Sequence, residues 1–110
     1  MTIAKSLTHD LDSIRAIVFR EGDFYVAQCL ELDISTQARD LDAVLERLDL
    51  TIEAECAMCI ERGQKPFEGI CAAPNYYHEL WEKRTVKLAR VHVPIDKHFP
   101  RVEAALAKAA

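Results

Sequence analysis

The alternation of apolar and polar residues between positions 14 and 39 predicts three short β-strands. Apolar and β-branched residues dominate segments 14–20 and 24–29, as is typical of strands. Gly22 lies between the two segments and can supply the positive φ of a tight turn, which predicts a hairpin. In the third segment, 34–39, apolar and polar residues alternate. One face of that strand is therefore expected to be dry and the other wet.

Both faces of the predicted hairpin carry apolar side chains. Ile14 and Val18 share one face of the first strand, whereas Ile17 and Phe19 lie on the other. One face can pack against a helix. The second face needs another cover, either from the C-terminal segment or from another subunit.

A long amphipathic helix is predicted over residues 41–62. Asp40 is a short carboxylate in the position of an N-cap, and Gly63 lies where a C-terminal cap glycine is expected. Between them, apolar side chains recur at the spacing of one helix face, at Leu41, Val44, Leu45, Leu48, Ile52, Cys56, Cys59 and Ile60.

The second half of the chain predicts a loop, a short helix and a late strand. After the loop of residues 64–73, Pro74 can open a helix that continues over 75–83. Residues 86–95 have the pattern of a fourth strand, in which Pro94 indicates an edge position or the end of the strand. In the alanine-rich tail, Val102 and Leu106 are at helical spacing, which predicts a short helix there.

These elements predict a single α+β domain. A three-stranded antiparallel meander and a fourth strand pack against one long helix, with a short extra helix. The domain is expected over residues 14–95, between a flexible N-terminal arm of residues 1–13 and a short helical tail of residues 96–110.

The segment from the hairpin to the long helix resembles the HicB-like domain of HicB antitoxins. The resemblance is carried by the turn Gly22-Asp23, by Tyr25-Val26-Ala27-Gln28-Cys29-Leu30-Glu31, by Thr36-Gln37 and by the helix start Leu41-Asp42-Ala43-Val44-Leu45. Many members have a glycine near position 38 or 39, which this chain lacks. The resemblance implies a βββαβ unit with a partial RNase H-like fold. It further implies an antitoxin-like protein that masks a small basic HicA-type RNA-cleaving toxin.

HicB antitoxins usually carry a second, C-terminal DNA-binding unit. The residues after the long helix supply one strand and too few helices for a ribbon-helix-helix or a helix-turn-helix. The formal net charge of −4, without a basic run, also disfavours a bare phosphate backbone as ligand. Direct DNA binding is therefore not expected.

The cellular compartment is predicted from what the sequence lacks. The first ten residues have no apolar core of a signal peptide, and no apolar run reaches transmembrane length. We expect a cytoplasmic protein without a membrane partner, whose 4 cysteines are reduced thiols.

Candidate chemistry is sparse along the chain. Cys56 and Cys59 form a CxxC inside the long helix, near its C-terminal end, where core packing is favoured over redox or metal chemistry. The predicted strands carry no interior carboxylates for a two-metal nuclease site, and the histidines are scattered. We expect a non-catalytic protein with no cofactor and no metal.

An aromatic group on the short helix is the candidate interface. Tyr76, Tyr77 and Trp81 lie close together there, and Arg90 and His92 share the wetter face of the fourth strand. The aromatics can cover the second sheet face, which we favour, or anchor a partner or subunit interface. We expect a homo-oligomer, a dimer or larger. Two other functions stay open: an orphan self-associating regulatory or scaffold domain without a toxin, and a small-molecule sensor.

Overall fold

The structure, a computed structural model, describes residues 13–89 and 100–108. Its elements in chain order are β1 (Ser13–Glu21), β2 (Phe24–Cys29), β3 (Ser35–Ala38), α1 (Leu41–Glu61), α2 (Asn75–Glu82), β4 (Val86–Leu88) and β5 (Arg101–Leu106). The strands form one mixed sheet of five strands in the order β3-β2-β1-β5-β4. The predicted α+β class is confirmed. Within the described residues, neither helix is long and apolar enough to cross a membrane.

The predicted antiparallel meander is present as β1, β2 and β3. In the first pair, Ala16 lies opposite Cys29 and Glu21 opposite Phe24. Gly22 makes the intervening turn with a φ of +61°, the conformation for which glycine is suited. β2 continues antiparallel to β3. The glycine turn thus predicts the β1–β2 hairpin, and local alternation predicts the third strand.

The prediction of a helical tail is wrong, because the tail contributes a strand to the interior of the sheet. β5 pairs in parallel with β1 and antiparallel with β4. Ala104 and Ala105 point to opposite faces, each into a buried core. Small side chains fit a strand that is packed on both sides, and two ladders outweigh the helix propensity of alanine. The strand next to the meander is therefore β5, and β4 lies on the far side of β5.

Several predicted features lie wholly or partly outside the described residues. The predicted strand of residues 86–95 is observed over Val86–Leu88, whereas residues 90–99 are not described. The predicted N-terminal arm also lies outside, except for Ser13, which is the first residue of β1.

Two hydrophobic cores lie on opposite faces of the sheet, as the parity of the hairpin predicts. The first lies beneath α1 and contains Ile14, Ala16, Val18, Ala27, Cys29, Leu32, Ala38, Val44, Leu48, Ile52, Cys56, Phe67 and Ala104. The second contains Ile17, Phe19, Leu30, Leu80, Trp81, Ala105 and Ala107. The helix α2 supplies Leu80 and Trp81 to this second core. The second face is thus covered within the chain.

Both ends of α1 are capped as the sequence predicts. Asp40 Oδ1 accepts a hydrogen bond from the backbone N–H of Ala43 at 2.8 Å, which satisfies one free donor of the first turn. At the other end Gly63 has a φ of +76°. Its N–H donates to Ile60 O at 3.0 Å, and the N–H of Gln64 donates to Cys59 O at 2.8 Å. This pair of bonds is a Schellman motif.

The segment after α1 carries the chain from one face of the sheet to the other. Phe67 has a φ of +63°, which is uncommon for a bulky residue, and its ring is buried in the first core. Further along, the N–H of Asp33 donates to Cys71 O at 2.7 Å and the N–H of Ala73 donates to Leu30 O at 3.0 Å. These bonds fix the segment against the β2–β3 connection, so that α2 begins beside the second face.

Candidate protein-binding surface

Trp81 belongs to the second core, and two arginine side chains contact its ring. Its side chain is buried, and the guanidinium carbons of Arg15 and Arg84 lie 5.7 and 4.6 Å from its ring centroid. Glu31 orients Arg15, because Oε2 accepts from Arg15 Nε at 2.6 Å and Oε1 accepts from the Arg15 backbone N–H at 2.7 Å. Arg84 Nη1 donates to Trp81 O at 2.9 Å. These cation–π contacts stabilise the position of α2 on the sheet.

A chain of three aromatic rings leads from this core to the surface. Tyr77 is half-buried and stacks on Phe19 of β1, with ring centroids 6.1 Å apart. Tyr76 meets Tyr77 edge to face at 5.1 Å, an arrangement that aromatic pairs favour. The outermost ring, Tyr76, is 49% exposed. A solvent-facing tyrosine therefore rests on a packed aromatic base.

The C-terminal half of α2 and the residues after it carry exposed charges of both signs. Glu79 follows Tyr76 by three residues, which places the two side chains on the same side of α2. Glu79, Glu82 and Lys83 are all exposed. An aromatic face beside carboxylates can receive a lysine or arginine side chain, through a cation–π contact and an ion pair together.

The structure brings together three of the five predicted interface residues. Trp81 and Tyr77 cover the second sheet face, which is the structural role that the sequence analysis favours for them. Tyr76 is the member of the group that is available to a partner. Arg90 and His92 lie outside the described residues. The interface role of the group stays a prediction.

The paired cysteines of α1 are buried, as their assignment to core packing predicts. Cys56 belongs to the first core, and Cys59 is 2% exposed. In residues 13–89 and 100–108, no three His, Cys, Asp or Glu side chains are grouped so as to hold a metal ion. His78 Nε2 lies 3.2 Å from Ala73 O, a contact that positions the start of α2.

A second exposed feature, which the sequence analysis missed, lies on the outer side of α1. We call it the α1 strip, and its exposed residues are Arg47, Leu50, Ala54, Ala57, Met58 and Glu61. Leu50 is 59% and Met58 41% exposed. The sequence does contain a signal for this exposed feature, because Leu50 and Met58 fall outside the apolar stripe that was predicted to be buried. Ile60, which was assigned to that stripe, lies on its flank and is 47% exposed, so its assignment is wrong.

In the part of the chain that the structure describes, both edges of the sheet carry features that oppose pairing with another strand. At the β3 edge, Arg47 Nη1 donates to Gln37 O at 2.9 Å and so occupies a carbonyl of this edge strand. At the β4 edge, Lys87 is exposed, with its Nζ 3.6 Å from Glu103 Oε2. Charged side chains on short edge strands disfavour the addition of further strands. The surfaces on the two helices are the better candidates for binding.

Comparison of the chain with family models, with curated proteins and with solved structures finds no match in any of the three.

Proposed function

We propose that this protein is a non-catalytic, antitoxin-like binding module that masks a small basic RNA-cleaving toxin of the HicA type. The partner class comes from the resemblance of residues 14–62 to the HicB-like domain. The succession of β1, β2, β3 and a capped α1 is compatible with the layout which that resemblance implies. The observation that carries the proposal is the exposed Tyr76 on its packed aromatic base.

Tyr76 has the properties of an anchor for a protein partner. Tyrosine is enriched among residues whose truncation costs the most binding energy, because it buries a large area with few rotatable bonds. Here the ring already rests against Tyr77, which in turn stacks on Phe19 of the sheet. Because its surroundings are ordered before binding, less conformational entropy is lost when a partner covers it.

The charge of the protein supports a basic partner. The chain has a formal net charge of −4, which attracts a basic protein at long range and raises the rate of encounter. Beside the anchor, Glu79 offers a carboxylate to a lysine or arginine side chain. A toxin that grips RNA phosphates must present such side chains, so covering them blocks access of the RNA.

The test is co-purification of the tagged protein from its native cytoplasm, with bound proteins identified by mass spectrometry. We expect one small basic protein in fixed proportion, and we expect its RNA-cleaving activity to fall when the tagged protein is added back. Tyr76→Ala should reduce capture by at least about tenfold, a typical effect of losing an anchor residue. Ile60→Ala is the matched control, because it truncates another exposed apolar side chain on the other helix.

Three results would contradict the proposal. Capture of no small basic protein at stoichiometric level would remove the partner class. Equal capture by the Tyr76→Ala variant and the wild type would remove α2 as the binding surface. Retained RNA cleavage in the presence of a stable complex would mean that the partner is bound without being masked.

A further inference from the structure

We propose that two copies of this protein associate through the α1 strip in an antiparallel, two-fold symmetric contact centred on Ala54. Both faces of the sheet are already covered within one chain, and both sheet edges carry charged side chains that oppose strand pairing. Leu50 and Met58 nevertheless remain exposed on the outside of α1. This association is separate from the proposed toxin masking and does not depend on it.

The ends of the strip have complementary charges. Arg47 and Glu61 each lie seven residues from Ala54, which is about two turns, so all three side chains share one side of the helix. In an antiparallel pair with its two-fold axis at Ala54, Arg47 of each copy lies opposite Glu61 of the other. The symmetry therefore creates two identical ion pairs, one at each end of the contact.

The apolar part of the strip is complementary to itself. The same two-fold axis sets Leu50 opposite Met58 of the second copy, so the two large exposed side chains cover each other. The flexible side chain of Met58 can fill irregular gaps around Leu50. The half-buried Thr51 lies opposite Ala57, and Ala54 meets its own copy at the crossing point. Small side chains at these positions let the two helix backbones approach closely, so that ridges can pack into grooves.

The position of Arg47 is fixed before association. Its Nη1 donates to Gln37 O at 2.9 Å, which holds the side chain at the end of the strip next to β3. A guanidinium has five N–H donors in a planar fork, so the same group can also bind the Glu61 carboxylate of a second copy. A side chain that is already ordered loses less entropy on pairing.

The order of the charges along the strip favours a second copy as its occupant. A second copy brings Glu61 to Arg47 and Arg47 to Glu61, so each end of the strip meets an opposite charge. The contact is small, since the helices touch over about 21 Å between positions 47 and 61. Interfaces of that extent belong to the weak class. We therefore expect a dimer that dissociates on dilution.

The first test is sedimentation velocity of the full chain over a concentration series. The wild type should shift from monomer to dimer as the concentration rises. Ala54→Glu places two like charges against each other at the crossing point and should weaken association by at least about tenfold. Ile60→Glu is the matched control: it adds the same charge to an exposed position of the same helix, outside the strip, and should leave association unchanged.

The second test is charge reversal with rescue. Arg47→Glu and Glu61→Arg should each weaken association about tenfold, because each sets like charges opposite one another. The double variant should regain the dimer, since it restores two opposite-charge pairs. Both Arg47→Glu and the double variant lack the hydrogen bond from Arg47 to Gln37. Recovery of the dimer in the double variant therefore cannot be attributed to that bond.

The outcomes separate clearly when thermal unfolding shows that each variant is folded. A wild type that stays monomeric at every concentration overturns the proposal. A dimer that resists Ala54→Glu, or one that the double variant does not restore, means that the copies associate through another surface. Because the chain alone is measured, none of these outcomes bears on whether it captures a toxin.

Discussion

Gly63 ends α1 in a backbone conformation that other residues adopt only with strain. Its φ is +76°, and its N–H and that of Gln64 bind the last free carbonyls of the helix. A Cβ built at this position would meet no atom within 4 Å. The preference for glycine here therefore comes from the backbone conformation, since an added Cβ would not clash.

We predict that Gly63→Ala lowers the free energy of unfolding by about 1 kcal/mol, the cost of a left-handed conformation for a residue with a Cβ. Gly63→Asn should cost less, because asparagine tolerates that conformation better. Urea denaturation of the three proteins measures both effects. Equal stability of the alanine variant and the wild type would mean that the end of α1 relaxes into another conformation at no cost.

Other residue-level features were also predictable from short stretches of sequence. Asp40 was predicted as the N-cap of α1, and the buried positions of Cys56 and Cys59 follow from helical periodicity. Phe67 was not predicted as a core residue, because it lies in a loop without periodicity. Its burial depends on the path of the chain around the end of the first core, which local pattern does not encode.

At the scale of elements, α2 contributes more than its length suggests. It has eight residues, too few for a stable helix in isolation, yet it supplies the cover of the second sheet face. Packing against the sheet, together with the two arginines beside Trp81, must therefore hold it in place. The stability of α2 is tertiary in origin.

We predict that Trp81→Ala destabilises the protein by about 3 to 5 kcal/mol, the usual cost of removing a large buried aromatic side chain. Tyr76→Ala should change stability by less than about 0.5 kcal/mol, because it truncates a largely exposed ring. Thermal unfolding of both variants checks this difference. A small effect at Trp81 would show that α2 contributes little to the fold.

The elements differ in how far they could be predicted from the sequence. The hairpin and α1 were predicted because their signals are local: an alternating pattern, a glycine turn and two caps. β5 was mistaken for a helix because its alanines favour a helix locally, whereas its partner β1 lies at the other end of the described chain. Pairing between such distant segments leaves no periodic trace in β5 itself.

At the scale of the whole molecule, β5 connects β1 and β4, which are not adjacent strands in the sheet. It lies between β1 and β4 in the strand order, and its alanines enter both cores. Without it, β1 would be an open edge with a row of unpaired backbone groups. The last described strand in the sequence therefore lies in the interior of the sheet.

We predict that a chain truncated after Phe99 loses cooperative unfolding, because both cores and the edge of β1 are opened together. A chain truncated after Lys108 retains all of β5 and should unfold like the wild type. Circular dichroism during heating compares the two proteins. A sharp transition in the shorter chain would contradict the central role of β5.

The candidate surfaces were predictable to different degrees. The aromatic group on α2 was found from the sequence positions of its residues on a predicted helix, but the division into buried Trp81 and exposed Tyr76 required the fold. The α1 strip went unrecognised because its alanines and charges look like an ordinary solvated helix face. Its self-complementarity becomes evident only when the helix is placed on the sheet and its free side is known.

The pairing of β1 with β5 has a consequence for how the protein is made. Translation delivers β1 long before β5, and most of the described chain lies between the two strands. Until β5 has left the ribosome, the interior of the sheet cannot close, so the nascent chain carries an unpaired β1 edge. Folding therefore waits for the closure of a long-range contact, which is intrinsically slow.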